Sequence, residues 1–115
     1  MNIAFPGLSQ DWLAQVDTGA AYSILEQDVA RELGLFQSEG KFTRLHTRLG
    51  ALRGRLIRVP LKILADEGTS LDFEATFFVS PDWHGGTFLG YSGLLDRLRI
   101  GLDCPRNLFY FGESG

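Results

Sequence analysis

Apolar residues along this chain keep mostly to a period of two. Ile57, Val59, Leu61 and Ile63 alternate with Arg58, Pro60 and Lys62 between Leu52 and Leu64, and Leu71, Phe73, Ala75, Phe77 and Val79 recur at the same period up to Pro81. Such alternation puts one set of side chains on one face of a strand. A similar rhythm runs from Phe42 to Leu49 and is interrupted by Gly50-Ala51, which predicts a long hairpin with a glycine near its tip. Asp66-Glu67-Gly68 supplies the next turn. Earlier, the short apolar run from Trp12 to Val16 enters Asp17-Thr18-Gly19-Ala20, a strand running into a tight turn.

Helical spacing is expected twice. Leu25, Val29 and Leu33 recur on one stripe, Ser23 and Glu26 have the form of a capping box, and Gly34 stands where a helix terminates. After the short apolar strand Thr87-Phe88-Leu89-Gly90, the residues Leu94, Leu95 and Leu98 predict a helix of two turns stopped by Gly101. A last strand is expected from Leu108 to Phe111, apolar enough to be buried on both faces. The pattern is all-β: mainly strands with two short helices, no internal repeat and no linker.

Composition narrows the picture. A chain of 115 residues with 44% apolar and 22% charged residues is expected to fold as a single globular domain over residues 1–115. No stretch approaches the roughly 18 apolar residues that span a bilayer. Met1 to Gln10 has neither the basic start nor the apolar run of a signal peptide, so no membrane association and a cytoplasmic location are expected. Cys104 is the sole cysteine, which fits a reducing compartment, and beside Pro105 it reads as a packed residue rather than a nucleophile.

Charge is uneven. Lys41, Arg44, Arg48, Arg53, Arg55, Arg58 and Lys62 follow one another without an acid between them, and Asp66, Glu67, Asp72 and Glu74 come next. Arginines alternating with apolar residues on a hairpin read as a solvated face in preference to a nucleic-acid surface. His46, His84 and Cys104 form no zinc pattern, and neither metal nor cofactor is expected. Gly85-Gly86 lacks the lysine and spacing of a phosphate-binding loop. Ser23 has no evident base for serine hydrolysis, and Trp12 and Trp83 read as packing residues.

The Asp17-Thr18-Gly19-Ala20 turn after an apolar strand, the glycine-tipped hairpin, and the downstream Phe88-Leu89-Gly90 leading towards Leu94 occur in one order over nearly the whole chain. In these elements the sequence resembles the retropepsin-like aspartic proteases, the single-lobe family that includes the retroviral proteases. The resemblance implies a retropepsin-like acid protease fold and an aspartic endopeptidase acting on a peptide or protein substrate. It implies Asp17 as the catalytic residue, with Thr18, Gly19 and Ala20 completing the active-site loop and the Thr18 hydroxyl bonding across a two-fold axis. It further implies Leu49, Gly50, Ala51 and Leu52 as a flap over the bound peptide, flanked by Arg48 and Arg53, and Phe88, Leu89 and Gly90 as the ψ-loop support. One Asp-Thr-Gly per chain supplies one carboxylate, so a homodimer is expected to supply the other. Asp96 and Asp103 lack the loop context to serve instead. Only sixteen residues precede Asp17, so the N-terminal strand is expected to be short or absent, and Leu108, Phe109, Tyr110 and Phe111 are the candidate dimer interface. The alternative is a non-catalytic module of the same fold that binds extended peptides or mediates dimerisation.

Overall fold

The computed structural model describes the whole chain except residues 18, 48–49, 66–67, 104–107 and 114–115; for 47, 97–103 and 108–113 it describes the backbone alone. Thr18, Arg48, Leu49, the Asp66-Glu67 turn, Cys104 and Pro105 therefore lie outside the described residues. The strands are β1 (Asn2–Ala4), β2 (Trp12–Val16), β3 (Ser23–Ile24), β4 (Lys41–Thr47), β5 (Gly50–Ile63), β6 (Leu71–Val79), β7 (Thr87–Leu89), β8 (Leu98–Asp103) and β9 (Leu108–Glu113). A single α-helix, α1 (Gln27–Glu32), and 3₁₀ turns at Leu35–Gln37 and Leu95–Arg97 complete the described elements. The chain is mainly β, as its alternation predicts.

Neighbouring strands run in the order β1-β2-β7-β3-β6-β5-β4, and β1 also pairs with β5. Six strands thus close into a ring from which β4 extends as an outrigger on β5. The 14-residue β5 serves both parts. Its start pairs with β4 from Gly50 to Leu56, its later part pairs with β6 from Arg55 to Ile63, and Lys62 and Ile63 meet β1. Pro60 stands opposite Glu74 of β6, and the other edge of β5 meets neither β4 nor β1 at that point, so a missing N–H on that edge breaks no ladder.

Alternation decides what the ring encloses. Ile57, Val59, Leu61 and Ile63 from β5 and Ala75, Phe77 and Val79 from β6 point inward with Ile3, Ala14, Leu25, Val29, Leu89 and Leu94. Burying each of the larger side chains contributes about 1.5–3 kcal/mol. Trp12 packs partly buried against the same core. No helix among the described residues is long and apolar enough to cross a membrane.

Two expectations are corrected. Ser23 and Glu26 form no capping box: Ser23 belongs to β3, α1 starts later at Gln27, and Glu26 at its N-cap makes no side-chain capping bond. Gly34 does follow the helix, in the left-handed conformation at φ 70°. The two-turn helix through Leu98 is absent; Leu95–Arg97 makes a single 3₁₀ turn, and Leu98 and Gly101 lie in β8, paired with β9. The N-terminal strand is short, as expected, but it is spent within the chain, closing the ring between β2 and β5. The expectation for Leu108 to Phe111 holds for the backbone, which forms β9; the burial of those side chains lies outside the description.

Candidate functional site: the Asp17 turn

β2 and β3 are consecutive along the chain, yet they are not neighbours in the sheet. β7 lies between them, parallel to β2 through Ala14↔Thr87, Gln15↔Phe88 and Val16↔Leu89, and antiparallel to β3 at Ile24↔Phe88. The connection from β2 to β3, which contains Asp17, is therefore wrapped around the end of a strand that arrives about seventy residues later.

Backbone bonds fix the turn on that strand. The Asp17 N–H donates to the Leu89 carbonyl at 3.0 Å, and the Ala20 N–H closes the turn onto the Asp17 carbonyl at 3.1 Å. On the far side, Tyr91 and Ser92 donate to the Ala20 and Ala21 carbonyls at 2.9 and 2.8 Å. The Gly19 N–H donates to Asp17 Oδ1 at 3.1 Å, orienting the carboxylate, which is otherwise exposed. Asp17, Gly19, Ala20, Leu89 and Gly90 are thus brought together.

The steric requirement for glycine falls on Gly90 and not on Gly19. A Cβ on Gly19 would stand 3.5 Å from Asp17 Oδ1, an ordinary contact, and Gly19 is not among the positive-φ glycines. Within one chain nothing obstructs a side chain there. Gly90 is the crowded position: a Cβ would lie 2.3 Å from the Tyr22 carbonyl oxygen and 2.9 Å from the Ser23 nitrogen. Close passage of β7 behind the turn is what demands glycine.

Side chains complete the support, among them Ser23 and Glu26, which the sequence reads as a capping box. Ser23, fully buried, accepts the Gly90 N–H on its Oγ at 2.8 Å. The Thr87 hydroxyl donates to Glu26 Oε2 at 3.1 Å and accepts the Glu26 N–H at 3.2 Å. The Gln27 amide donates to the Pro81 and Trp83 carbonyls at 2.8 and 2.6 Å and lies 3.4 Å from His84 Nδ1, tying the loop before β7 to α1. Trp83 meets Phe88 edge-on at 5.9 Å.

Outward from the barrel, register aligns a row of side chains. Leu56, Phe78, Ile24, Phe88 and Gln15 are successive partners across β5, β6, β3, β7 and β2. Phe78 and Ile24 are buried in that outer layer, and Gln15 lies two residues before Asp17 on the same face. An apolar row therefore runs from the hairpin strand to Phe88, and the exposed Gln15 lies between it and the carboxylate. The Phe77-Phe78 pair could have disclosed it, because two adjacent apolar residues break the alternation and mark a strand covered on both faces.

No protein-family model matches the chain, and none of the curated proteins matches it either.

The remaining expected residues sit on the β4–β5 hairpin. Gly50, at φ 118°, pairs with Thr47, Ala51 with His46 and Leu52 with Leu45. The root of this arm is pinned. Arg53 N–H donates to Asp82 Oδ2 at 3.2 Å, the Ser80 hydroxyl donates to the Arg53 carbonyl at 2.6 Å, and the Asp82 N–H returns to Ser80 Oγ at 3.0 Å. The basic stretch meets the acidic one across β5 and β6 in Arg58–Glu74 and Lys62–Asp72, 3.9 and 3.8 Å apart, and Arg53 stands 3.9 Å from Asp82 in the turn after β6. Asp96 accepts the Gly93 N–H at 3.0 Å, a local structural role. Among the described residues no group of three potential metal ligands is found.

Proposed function

We propose that the chain is one subunit of a homodimeric, retropepsin-like aspartic endopeptidase with Asp17 from each subunit as the catalytic pair. The observation that carries this reading is an exposed carboxylate oriented by the Gly19 N–H, on a turn locked to β7 at Leu89 and to the stretch after it at Tyr91 and Ser92. A turn so fixed holds a charge in one place, and its exposure leaves room for a second copy to face it.

The chemistry follows from two such carboxylates meeting at a symmetry axis. Close together they cannot both ionise cheaply, so they share one proton and titrate as a unit, as aspartic-protease dyads do. The ionised member takes a proton from a water held between them, and the protonated member polarises the scissile carbonyl. Water then adds to the carbonyl carbon, and proton return to the nitrogen accompanies cleavage of the C–N bond. No covalent enzyme intermediate forms. Half-buried Phe88, backed by the buried Ile24 and Phe78, offers an apolar contact beside the dyad for substrate side chains, and the β4–β5 hairpin, with Gly50 to Leu52 near its end, closes over the peptide as an added strand would pair.

Dimerisation has its own support. β8 and β9 form a separate two-stranded sheet, and such a ribbon is marginal by itself. A second copy would cover its apolar strands, including Leu108, Phe109, Tyr110 and Phe111.

The test compares wild type with Asp17→Asn on a peptide library while sedimentation reports the oligomeric state. Wild type should cleave with pepstatin sensitivity and a bell-shaped pH profile, since one shared proton is required, and Asp17→Asn should lose about 10³-fold or more in kcat/KM while still dimerising. A wild-type dimer that cleaves no peptide at any pH would reject the enzyme and leave the peptide-binding or dimerising module.

A further inference from the structure

A second concavity lies on the opposite side of the sheet from the Asp17 row. Between the root of the β4–β5 hairpin and the 3₁₀ turn at Leu35–Gln37 is a cavity of about 340 Å³. Its floor is Ile57 and Val79 from the core, and its walls include Leu35, Phe36, Phe42 and Pro81. Phe42, Arg55 and Val79 are register partners across β4, β5 and β6 and share the face of Ile57, whereas Leu56 and Phe78 occupy the other face. The cavity therefore does not belong to the proposed peptide cleft.

Its rim combines exposed aromatic side chains with two arginines. Phe36 and Phe42 are 40% and 59% exposed, presenting apolar area at one opening. Arg53 and Arg55 stand on the same lining with one carboxylate, Asp82, so the lining is net cationic. Arg55 donates one Nη1 bond to the Gly40 carbonyl at 2.9 Å, and Arg53 Nε stands 3.9 Å from Asp82, a long ion pair; both guanidinium groups keep donors to spare. An apolar floor beneath a fork of N–H donors is complementary to an organic anion, because a carboxylate accepts bidentate bonds from arginine while its apolar body leaves water. The volume sits near the lower end of small-molecule sites, which run from about 300 to 1,000 Å³.

We propose that this cavity binds an amphiphilic monocarboxylate, a molecule with an apolar body of roughly medium-chain acyl size whose head group pairs with Arg55 and Arg53. The site is independent of peptidase activity, and its occupancy is readable without any cleavage assay.

The experiment titrates the full-length ¹⁵N-labelled chain with octanoate and, separately, with 1-octanol, following amide shifts. Octanoate should give saturable shifts at Leu35, Phe42, Gly54 and Val79 and leave Gln15 and Leu89 unmoved, and octanol should bind about tenfold more weakly. Arg55→Gln should weaken octanoate about tenfold and leave octanol unchanged, while Phe36→Ser should weaken both. Because the Arg55 change also removes the bond to Gly40, Arg53→Gln is measured beside it; that side chain is 68% exposed, and the variant should fold and weaken octanoate in the same sense. The proposal is overturned if octanoate produces no saturable shift at the cavity amides, or if octanol binds equally well and both arginine variants leave octanoate unaffected.

Discussion

The Asp17 turn and the β4–β5 hairpin carry the expected catalytic and flap residues, and they are held in opposite ways. The turn is gripped from both sides by groups far away in sequence: Leu89 and Gly90 behind it, Tyr91 and Ser92 beyond it, and Ser23, Glu26 and Thr87 locking the strand that passes through. The hairpin is held at its root by Arg53, Ser80 and Asp82, and from Gly50 to Gly54 β5 pairs with β4 before β6 joins at Arg55. Burial of the supports follows the same division: Ser23, Thr87 and Leu89 behind the turn are inaccessible, though Asp17 and Gly19 on it are exposed, whereas Gly50, Ala51 and Arg53 along the hairpin are exposed. Opening free energy tracks buried contacts and protected hydrogen bonds, so the first region should open only with the whole domain and the second on its own. A fixed charge and a separately hinged arm are what a site that must position a reaction and also admit an extended substrate requires.

Four variants probe that division, from the strongest effect to the weakest. Gly90→Ala places a Cβ 2.3 Å from a backbone oxygen that cannot rotate away, and urea unfolding should show a loss of about 3 kcal/mol or failure to fold. Ser23→Ala leaves the buried Gly90 N–H without its acceptor and should cost about 1–3 kcal/mol by the same measurement, with no rescue from Thr at that position unless its hydroxyl reaches Gly90. Asp82→Ala removes the carboxylate that holds the Arg53 N–H; global stability should fall by only about 1 kcal/mol, while hydrogen exchange at residues 51–53 quickens and exchange at Leu89 stays unchanged. Exchange quickening equally at both places would show that hairpin and turn open as one unit and would erase the contrast. Lys62→Met, which breaks an exposed pair with Asp72 at 3.8 Å, should change stability by no more than about 0.5 kcal/mol.

Sequence and structure agree where information is local. β5 and β6 are legible because their alternation is long, and the Asp17 turn because an apolar run ends in residues that favour tight turns. Ser23 and Glu26 show the limit of that reasoning. Their spacing of three is that of a capping box, yet Ser23 Oγ bonds Gly90 and Glu26 bonds Thr87, partners 67 and 61 residues away. No local window contains those partners. Leu94, Leu95 and Leu98 fail for a related reason: two turns of helix return little against the cost of nucleation, and β9 offers Leu98 a complete ladder instead. The basic run from Lys41 to Lys62 reads as a solvated face, and that reading lacked only its counter-ions, which antiparallel register supplies from β6. At the candidate site, Asp17 and its turn are visible from sequence; the Phe77-Phe78 pair hints at an apolar outer layer, but its alignment with Ile24 and Phe88 comes only from the register of three strands.

The interposition of β7 also constrains how the molecule is made. As the polypeptide leaves the ribosome, β2 and β3 exist long before β7 does, so the slot that will steady Asp17 stands vacant until Leu89 emerges. Completing it requires closure of a loop of about seventy residues, a non-local contact that slows folding, so the Asp17 turn is steadied only after β7 has been made. In a crowded nascent population the same vacancy can be filled by the equivalent strand of a neighbouring molecule, so slow, dilute refolding should favour the self-threaded form over strand-exchanged oligomers.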